Sequence, residues 1–236
     1  MYSIAKAARS LPLIVGIVWL IGCTKIDEYK KYIDGKSTRY PAKIDSLVVF
    51  SGHERVVISS APILDPTVTQ VTIYWNNRRD SVVVDVANEN GVRRLNQSLG
   101  LQEGLYYFDL FTYDGMGNRS VPVSSLGVSY GSLYEQSLIP RSVHQAELIE
   151  EGLLLYWSQP IHASRGVRLV HNGRDGDSYT RWISNDADTT LLTNYFDGID
   201  IGIQTWFMPD TISIDTFYTP LQVVDLGLLL PDNGQH

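Results

Sequence analysis

Residues 71–86 have the sequence VTIYWNNRRDSVVVDV, and residues 167–183 have the sequence VRLVHNGRDGDSYTRWI. In each stretch a run of β-branched and aromatic residues leads through a polar turn into a second such run. Short runs of this composition, separated by turns rich in Asn, Asp and Gly, predict β-hairpins. Sustained apolar residues at helical spacing are absent from the rest of the chain, so we predict an all-β fold.

Both hairpins belong to an internal repeat of low identity. Upstream of them, VVISSAP at residues 56–62 aligns with LLYWSQP at residues 154–160. Downstream, each half contains a long predicted strand, Leu105–Tyr113 in the first half and Ile199–Phe207 in the second. The chain is therefore predicted to consist of two similar units.

Each repeat unit has about 90 residues, which is the size of a fibronectin-type-III-like or immunoglobulin-like β-sandwich. We predict one sandwich over residues 46–131 and a second over residues 140–228, with the boundary near Gly131–Pro140. A single large sandwich is the alternative, and it would unfold as one indivisible unit.

The N-terminus has the pattern of an export signal. Lys6 and Arg9 precede an apolar run from Leu11 to Gly22, which is shorter than the roughly 20 residues of a membrane-spanning helix. The run ends in Leu20-Ile21-Gly22-Cys23, which resembles a bacterial lipobox, in which the cysteine thiol is diacylated and the chain is cut before it. We predict a lipoprotein signal peptide over residues 1–22.

Cys23 is the only cysteine of the chain, so it has no disulfide partner within it. Acylation of the Cys23 thiol would anchor the protein in a membrane. Residues 23–45 are polar and charged and are predicted to form a short tether after the lipidated Cys23. The alternative is an ordinary secretory signal followed by an incidental cysteine.

Composition and motifs argue against several classes of function. The 26 acidic and 19 basic residues give a net charge of −7, which suits nucleic acid poorly. HExxH, a phosphate-binding glycine loop and a zinc-ligand spacing are all absent from the sequence. Acidic pairs such as Asp175/Asp177 and Asp186/Asp188 lie in polar loops, where solvated turns are favoured over a glycosidase or calcium site. We predict a non-enzymatic protein without a cofactor or metal.

The first long strand is aromatic on both faces. Because side chains alternate along a strand, one row faces the core and the other faces outward. The row assigned to the core is Tyr106, Phe108, Leu110 and Thr112. The outward row, joined by one residue of the neighbouring strand, supplies four aromatic residues: Tyr74, Tyr107, Phe111 and Tyr113.

Tryptophans of the second half divide between core and surface. Trp157 is assigned to the core, as is Trp75 of the first half, because sandwiches commonly bury a Trp on an inner strand. Trp182 and Trp206 are out of phase with the inward rows, which are Tyr179, Arg181 and Ile183 in one strand and Ile201, Ile203, Thr205 and Phe207 in the other. We therefore place both on an outer face.

Aromatic residues on an outer sheet face indicate that something covers them. One interpretation is packing against the other domain or the tether, and the other is stacking on the rings of a sugar. The predicted ligand or partner face comprises Tyr74, Tyr107, Phe111, Tyr113, Trp182 and Trp206.

With these residues placed, the chain resembles a family of Bacteroidota outer-membrane lipoproteins that carry a domain of unknown function with fibronectin-type-III-like repeats. The resemblance covers about residues 25–220, and its more specific parts are IYWNN at residues 73–77 and DTFYT at residues 215–219. Further matching positions are Tyr29, Tyr32-Ile33, Gly35, Tyr40-Pro41-Ala42-Lys43, Asp45-Ser46, Asp65-Pro66-Thr67-Val68 and Asp80-Ser81.

This resemblance implies a lipid-anchored protein of the outer membrane, on the cell surface or on the periplasmic face, and often associated with glycan uptake. It carries over no catalytic residue. We therefore expect a binding or scaffold module that captures glycans or joins a glycan-uptake complex. A structural spacer or protein-docking subunit without a small-molecule ligand is the alternative.

Overall fold

The computed structural model describes residues 40–86, 88–89, 92–196 and 198–230. The predicted signal peptide, the lipidation site Cys23 and the tether up to residue 39 lie outside the described residues and stay predictions. The described part is nearly all β, which confirms the predicted fold class. Within it, no helix is long and apolar enough to span a bilayer.

The first half forms a seven-stranded sheet in the order β4-β3-β8-β9-β1-β2-β7, beside a small β5-β6 hairpin. Its strands are β1 (Val48–His53), β2 (Arg55–Ser59), β3 (Val68–Trp75), β4 (Asp80–Asp85), β5 (Asn88–Glu89), β6 (Val92–Arg93), β7 (Asn96–Gly100), β8 (Gly104–Asp114) and β9 (Val123–Tyr130). β1 and β9 pair in parallel, with Gly52 opposite Ser129. This pairing joins the layer β1-β2-β7 to the layer β4-β3-β8-β9.

Apolar side chains from both layers of this first sandwich meet in one core. The alternation predicted for β8 is observed, since Phe108, Leu110 and Thr112 are buried and Tyr106 packs on the core. Val56 and Ile58 of β2 face them from the other layer. Trp75, predicted to lie in the core, is half-buried at its edge.

The second half repeats this arrangement as two separate sheets, β10-β11-β14 and β13-β12-β15-β16, with β17 also paired to β15. Its elements are the helix α1 (Ser132–Ser137), the strands β10 (Val143–Ile149), β11 (Gly152–Trp157), β12 (Ser164–Asn172), β13 (Ser178–Ser184), β14 (Thr189–Leu192), β15 (Ile201–Phe207), β16 (Phe217–Tyr218) and β17 (Gln222–Val224), and a 3-10 turn (Leu226–Leu228). The last strand is therefore in two pieces, separated by Thr219, Pro220 and Leu221.

A buried arginine organises the core of this second sandwich. The side chain of Arg141 donates hydrogen bonds to the carbonyl oxygens of Ser158, Ser184 and Ala187 at 2.7, 3.2 and 2.9 Å. Its guanidinium lies 5.7 Å from the ring centroid of Trp157, which is buried as predicted. Burial lowers the pKa of Arg141, and the three carbonyls compensate for the loss of water around its charge.

Two segments differ from the sequence-based expectation. Residues 40–45, assigned to the tether, pack on the first sandwich: Ile44 is buried in its core, and the carbonyl of Ala42 accepts a hydrogen bond of 2.7 Å from Thr112 Oγ1. The predicted boundary near Gly131–Pro140 contains α1. A helix of this length is too short to produce a periodic pattern.

Candidate functional site

The outer face of the first sandwich carries Tyr74 on β3 and Tyr107, Phe111 and Tyr113 on β8. Tyr107 is 57% exposed and Phe111 is only 4% exposed, while Tyr74 and Tyr113 are half-buried. A hydrogen bond with Tyr113 is the largest of the causes that raise the pKa of Tyr74. Only one of the four predicted rings is therefore broadly open to solvent.

Phe111 is covered by two arginines of its own sandwich. The guanidinium carbons of Arg78 and Arg119 lie 5.2 and 5.1 Å from its ring centroid, and Tyr74 meets the ring edge-on at 5.9 Å. Both cations sit within the range of a cation–π contact. Contrary to the prediction, Phe111 is not available to a ligand or to the second sandwich.

The β3–β4 turn brings Arg78 to this position. Asn76, Asn77 and Arg78 all have left-handed backbones, with φ of 51, 56 and 61°, which asparagine tolerates better than most residues. Arg78 then bonds Asp109 at 2.7 Å. A hydrogen bond from Ser124, together with Arg78, lowers the pKa of the Asp109 carboxyl. The charged groups that line the adjoining depression of about 200 Å³, Arg78 and Asp109, thus already bind each other.

The outer face of the second sandwich is more open. Trp182 on β13 pairs with Arg168 of β12, and Trp206 on β15 lies opposite Tyr218 of β16. Trp182 is 58% exposed and Tyr218 is 41% exposed. The two indoles meet edge-to-face, with centroids 6.4 Å apart and planes at 88°. We call this surface the Trp face; its residues are Arg168, Trp182, Gln204, Trp206 and Tyr218.

Gly166 of β12 makes room for one of these indoles. Its φ is 155°, and a Cβ at this position would lie 2.6 Å from the carbonyl oxygen of Ile183 and 2.9 Å from Nε1 of Trp206. Contacts this short are not tolerated between a methyl group and backbone. A residue without a side chain therefore lets Trp206 lie against the backbone of the central strand.

Arg168 lies between Trp182 and Gln204 in the register of the sheet. Its Nε is buried and has no hydrogen-bond partner among the described residues. A buried donor without a partner costs about 1–3 kcal/mol, and such groups are exceptions in folded proteins. The Trp face thus contains a buried N–H donor, at Nε of Arg168, that has no acceptor among the described residues.

Sequence reasoning placed Trp182 and Trp206 correctly on the outer face but missed their neighbours. Alternation along β12 and β15 could have found Arg168 and Gln204, because they share the phase of the outward row. Arg181, assigned inward, is exposed at the rim and donates to the carbonyl of Leu191 at 2.9 Å.

The two sandwiches meet at a joint between the β15–β16 loop and the strands β1 and β2. Asp215, in the loop between β15 and β16, accepts hydrogen bonds from Arg55 Nε at 2.9 Å and Nη2 at 2.7 Å, and from His53 N at 2.8 Å. In the same loop, Ile214 N donates to the carbonyl of Ser51 at 2.8 Å. The Arg55 guanidinium, as the main cause, lowers the pKa of the Asp215 carboxyl.

Next to this ion pair, Phe217 is completely buried. Its ring centroid lies 5.5 Å from that of His53, 5.9 Å from Tyr130 and 5.1 Å from Tyr134. Burial, aided by Asp210, raises the pKa of Tyr130 to about 12. The DTFYT stretch thus supplies the ion pair and the aromatic centre of the joint.

Acidic loop residues are engaged in local turns. Asp175 accepts hydrogen bonds from the Tyr179 hydroxyl and the Asp177 amide, and Asp186 interacts with Ser184. Within the described ranges, no three His, Cys, Asp or Glu side chains are close enough to bind a metal. Asp186 and Asp175 therefore have the arrangement of turn residues.

A family model described as DUF4998, a domain of unknown function, matches residues 23–217. The chain belongs to the DUF4998 family. This agrees with the expected family of unknown function, and the DUF4998 match includes all of the Trp face except Tyr218. Among curated proteins, none matches the chain.

Two solved structures from chicken resemble the DUF4998 chain in outline. The FN1–FN3 domains of CNTN1 have 10% identity and a TM-score of 0.41, over 78% of this chain and 68% of that one. A segment of two fibronectin type-III domains from tenascin has 12% identity and a TM-score of 0.29, over 77% of this chain and 99% of that one. The strand order and the two separate cores define two sandwiches in the chain.

Proposed function

We propose that this DUF4998 protein is a non-enzymatic binding module of the cell envelope, anchored through acyl chains on Cys23, and that its Trp face binds a glycan. The observation that carries the proposal is the perpendicular pair of the exposed Trp182 and the half-buried Trp206. Large aromatic rings left open on a sheet face are unusual on a protein without a partner.

The chemistry of the Trp face suits a sugar. The apolar C–H face of a pyranose stacks on an aromatic ring, while its hydroxyls need nearby polar groups. Arg168 and Gln204 lie in register beside the indoles, and a guanidinium and an amide are groups that hydrogen-bond to hydroxyls. The outer face of the first sandwich is less suited to stacking on a sugar, because Arg78 and Arg119 already cover the Phe111 ring.

Binding can be tested on a glycan array with the soluble chain beginning at Thr24. Trp182→Ala is expected to abolish the signal, because the most exposed ring of the Trp face is lost. Tyr107→Ala is the matched control, since Tyr107 and Trp182 are 57% and 58% exposed. Absence of any bound glycan, or equal loss with both variants, would overturn the proposal.

The anchor rests on the lipobox-like sequence before Cys23 and on a family match that begins at the same residue. We infer an outer-membrane lipoprotein, on the surface or periplasmic side, of the type found in Bacteroidota. Wild-type protein is expected to incorporate labelled palmitate and to fractionate with membranes. Cys23→Ser should lose both properties; labelling that survives this substitution would refute the anchor.

A structural spacer is the second candidate, and the joint favours it. An ion pair and a buried aromatic centre hold the two sandwiches together, as a rigid spacer requires. Leu105, Tyr107 and Leu126 are exposed on the outer face of the first sandwich and would dock a protein. A partner that co-purifies in stoichiometric amount and protects Tyr107 from solvent would support the spacer over the glycan module.

A further inference from the structure

A groove continues the Trp face towards the first sandwich. It has a volume of about 610 Å³ and runs between α1 and the interrupted last strand. Gln204 and Tyr218 belong both to the Trp face and to the groove. The remaining lining includes Gln136, Leu138, Pro220 and Gln222.

We propose that this groove is a second subsite for the ligand of the Trp face, and that the combined site takes an extended, uncharged oligosaccharide. The inference rests on the proposed glycan function and specifies its ligand class. The site spans four adjacent strands, from β13 through β12 and β15 to β16, so three inter-strand spacings separate its two ends. At the usual strand spacing this is about 14 Å, which exceeds a single sugar ring.

The groove is lined by the groups that recognise hydroxyls. Gln136, Gln204 and Gln222 each carry an amide, which both donates and accepts hydrogen bonds. Gln204 is held in place, because its Nε2 donates to the carbonyl of Thr219 at 2.8 Å. Its carbonyl oxygen remains an acceptor. Tyr218 supplies the apolar ring at the entrance.

Charge favours a neutral ligand. No Lys or Arg is among the described residues that line the groove, so a phosphate or carboxylate in the groove would find no counter-charge there. The cation of the combined site is Arg168, which lies on the Trp face. Its one carboxylate, Glu135, lies 3.4 Å from His53 Nε2 of the joint. A cationic chain would therefore find only one acidic group among the described residues of the groove, Glu135, and that group already contacts His53.

The break in the last strand creates the far wall of the groove. Pro220 has no N–H to donate to a neighbouring strand, and it lies between β16 and β17. Continuous pairing with β15 is interrupted there, so Thr219 and Pro220 line the groove while Tyr218 remains on the sheet. A ligand bound there would contact both the sheet and α1.

Calorimetric titration of the chain from Thr24 with cello-, xylo- and manno-oligosaccharides, from disaccharide to hexasaccharide, tests the proposal. Affinity is expected to rise with length in the series that binds. The double variant Gln136→Ala/Gln222→Ala should lose that gain, about tenfold for the hexasaccharide, which is the size that two hydrogen bonds provide. The disaccharide should bind unchanged. Gln145→Ala, an exposed glutamine on β10, is the matched control.

Each other outcome has a distinct meaning. If Trp182→Ala weakens every length while the glutamine variant changes none, the groove is not a subsite and the proposed function stands. If no series binds, and none does on the glycan array, the glycan function fails and the groove proposal fails with it. Tighter binding of oligogalacturonates than of the neutral series would overturn the uncharged class.

Discussion

Asp215 connects two parts of the chain that are distant in sequence. It pairs with Arg55, 160 residues away, through two hydrogen bonds, and it also accepts the backbone amide of His53. An exposed ion pair contributes little to stability, but a bidentate pair with a backbone donor is stronger. The side chain of Asp215 is 23% exposed, so the pair is partly shielded from water.

Asp215→Asn is expected to lower the free energy of unfolding by about 1 kcal/mol at neutral pH. The effect should depend on pH. Because the pKa of the folded carboxyl is lowered, its stabilisation is present above the unfolded value of about 3.9 and is lost as the pH falls through the folded value. The difference between wild type and variant should therefore shrink below about pH 4. Urea unfolding across a pH series measures it.

Asp186→Asn is the control for this experiment, since Asp186 contacts only its own turn. It should change the free energy of unfolding much less than Asp215→Asn does. A difference between wild type and Asp215→Asn that grows on acidification would contradict the assigned role of the carboxylate.

At the scale of elements, the β3–β4 turn stores backbone strain to position Arg78. Three consecutive residues are left-handed there, a conformation that costs an ordinary residue about 1–2 kcal/mol. Asparagine and glycine adopt it more easily, and β-branched residues adopt it least. The backbone strain of the turn can therefore be tested by substituting one of its residues with side chains that tolerate a left-handed backbone to different degrees.

Asn77→Val is expected to destabilise the protein by about 1–2 kcal/mol, whereas Asn77→Gly should be neutral or slightly stabilising. Thermal unfolding distinguishes the two variants. Ser81→Val, an exposed position on the extended strand β4, serves as control and should not destabilise. Equal stability of Asn77→Val and wild type would show that the β3–β4 turn stores no backbone strain at Asn77.

The close packing of strand β12 against Trp206 at Gly166 gives a second prediction at the scale of elements. Gly166→Ala would place a methyl group against Ile183 O and Trp206 Nε1, so β12 or the indole must move. We expect a loss of about 1–3 kcal/mol and a shift in tryptophan fluorescence. Gly100→Ala is the matched control, because no atom lies within 4 Å of the added Cβ. An unchanged emission spectrum for Gly166→Ala would contradict the packing of Trp206.

Local patterns predicted the elements but not their long-range contacts. The alternation of β8 correctly placed Phe108 and Leu110 in the core, because period two is a property of the strand itself. The covering of Phe111 depends on Arg78, whose direction is set by a left-handed turn outside any periodic pattern. The contact between Arg55 and Asp215 could not be predicted either, because charge spacing along the sequence carries no information across the fold.

At the scale of the whole molecule, the two sandwiches have separate cores and share one joint. Its centre is Phe217, which is buried between residues of both halves. The next residue, Tyr218, points to the opposite side, into the groove. One short strand thus contributes to the joint with one side chain and to the proposed ligand site with the other.

Phe217→Ala is expected to separate the unfolding of the two sandwiches. Wild type should show a single calorimetric transition, because the buried joint couples both cores. The variant should lose about 3–5 kcal/mol and show two transitions. Tyr218→Ala, at the neighbouring exposed position, should keep the single transition. A single transition in Phe217→Ala would mean that other contacts couple the halves.

The parallel pairing of β1 and β9 has a mechanical consequence. The chain enters β1 at Val48 and leaves β9 at Tyr130, and parallel strands place these two ends at opposite sides of the sheet. A pulling force applied between them loads the parallel pairing at Gly52–Ser129 and His53–Tyr130 in shear, rather than peeling it from one end. We therefore expect this pairing to resist stretching along the direction in which the chain passes through the first sandwich.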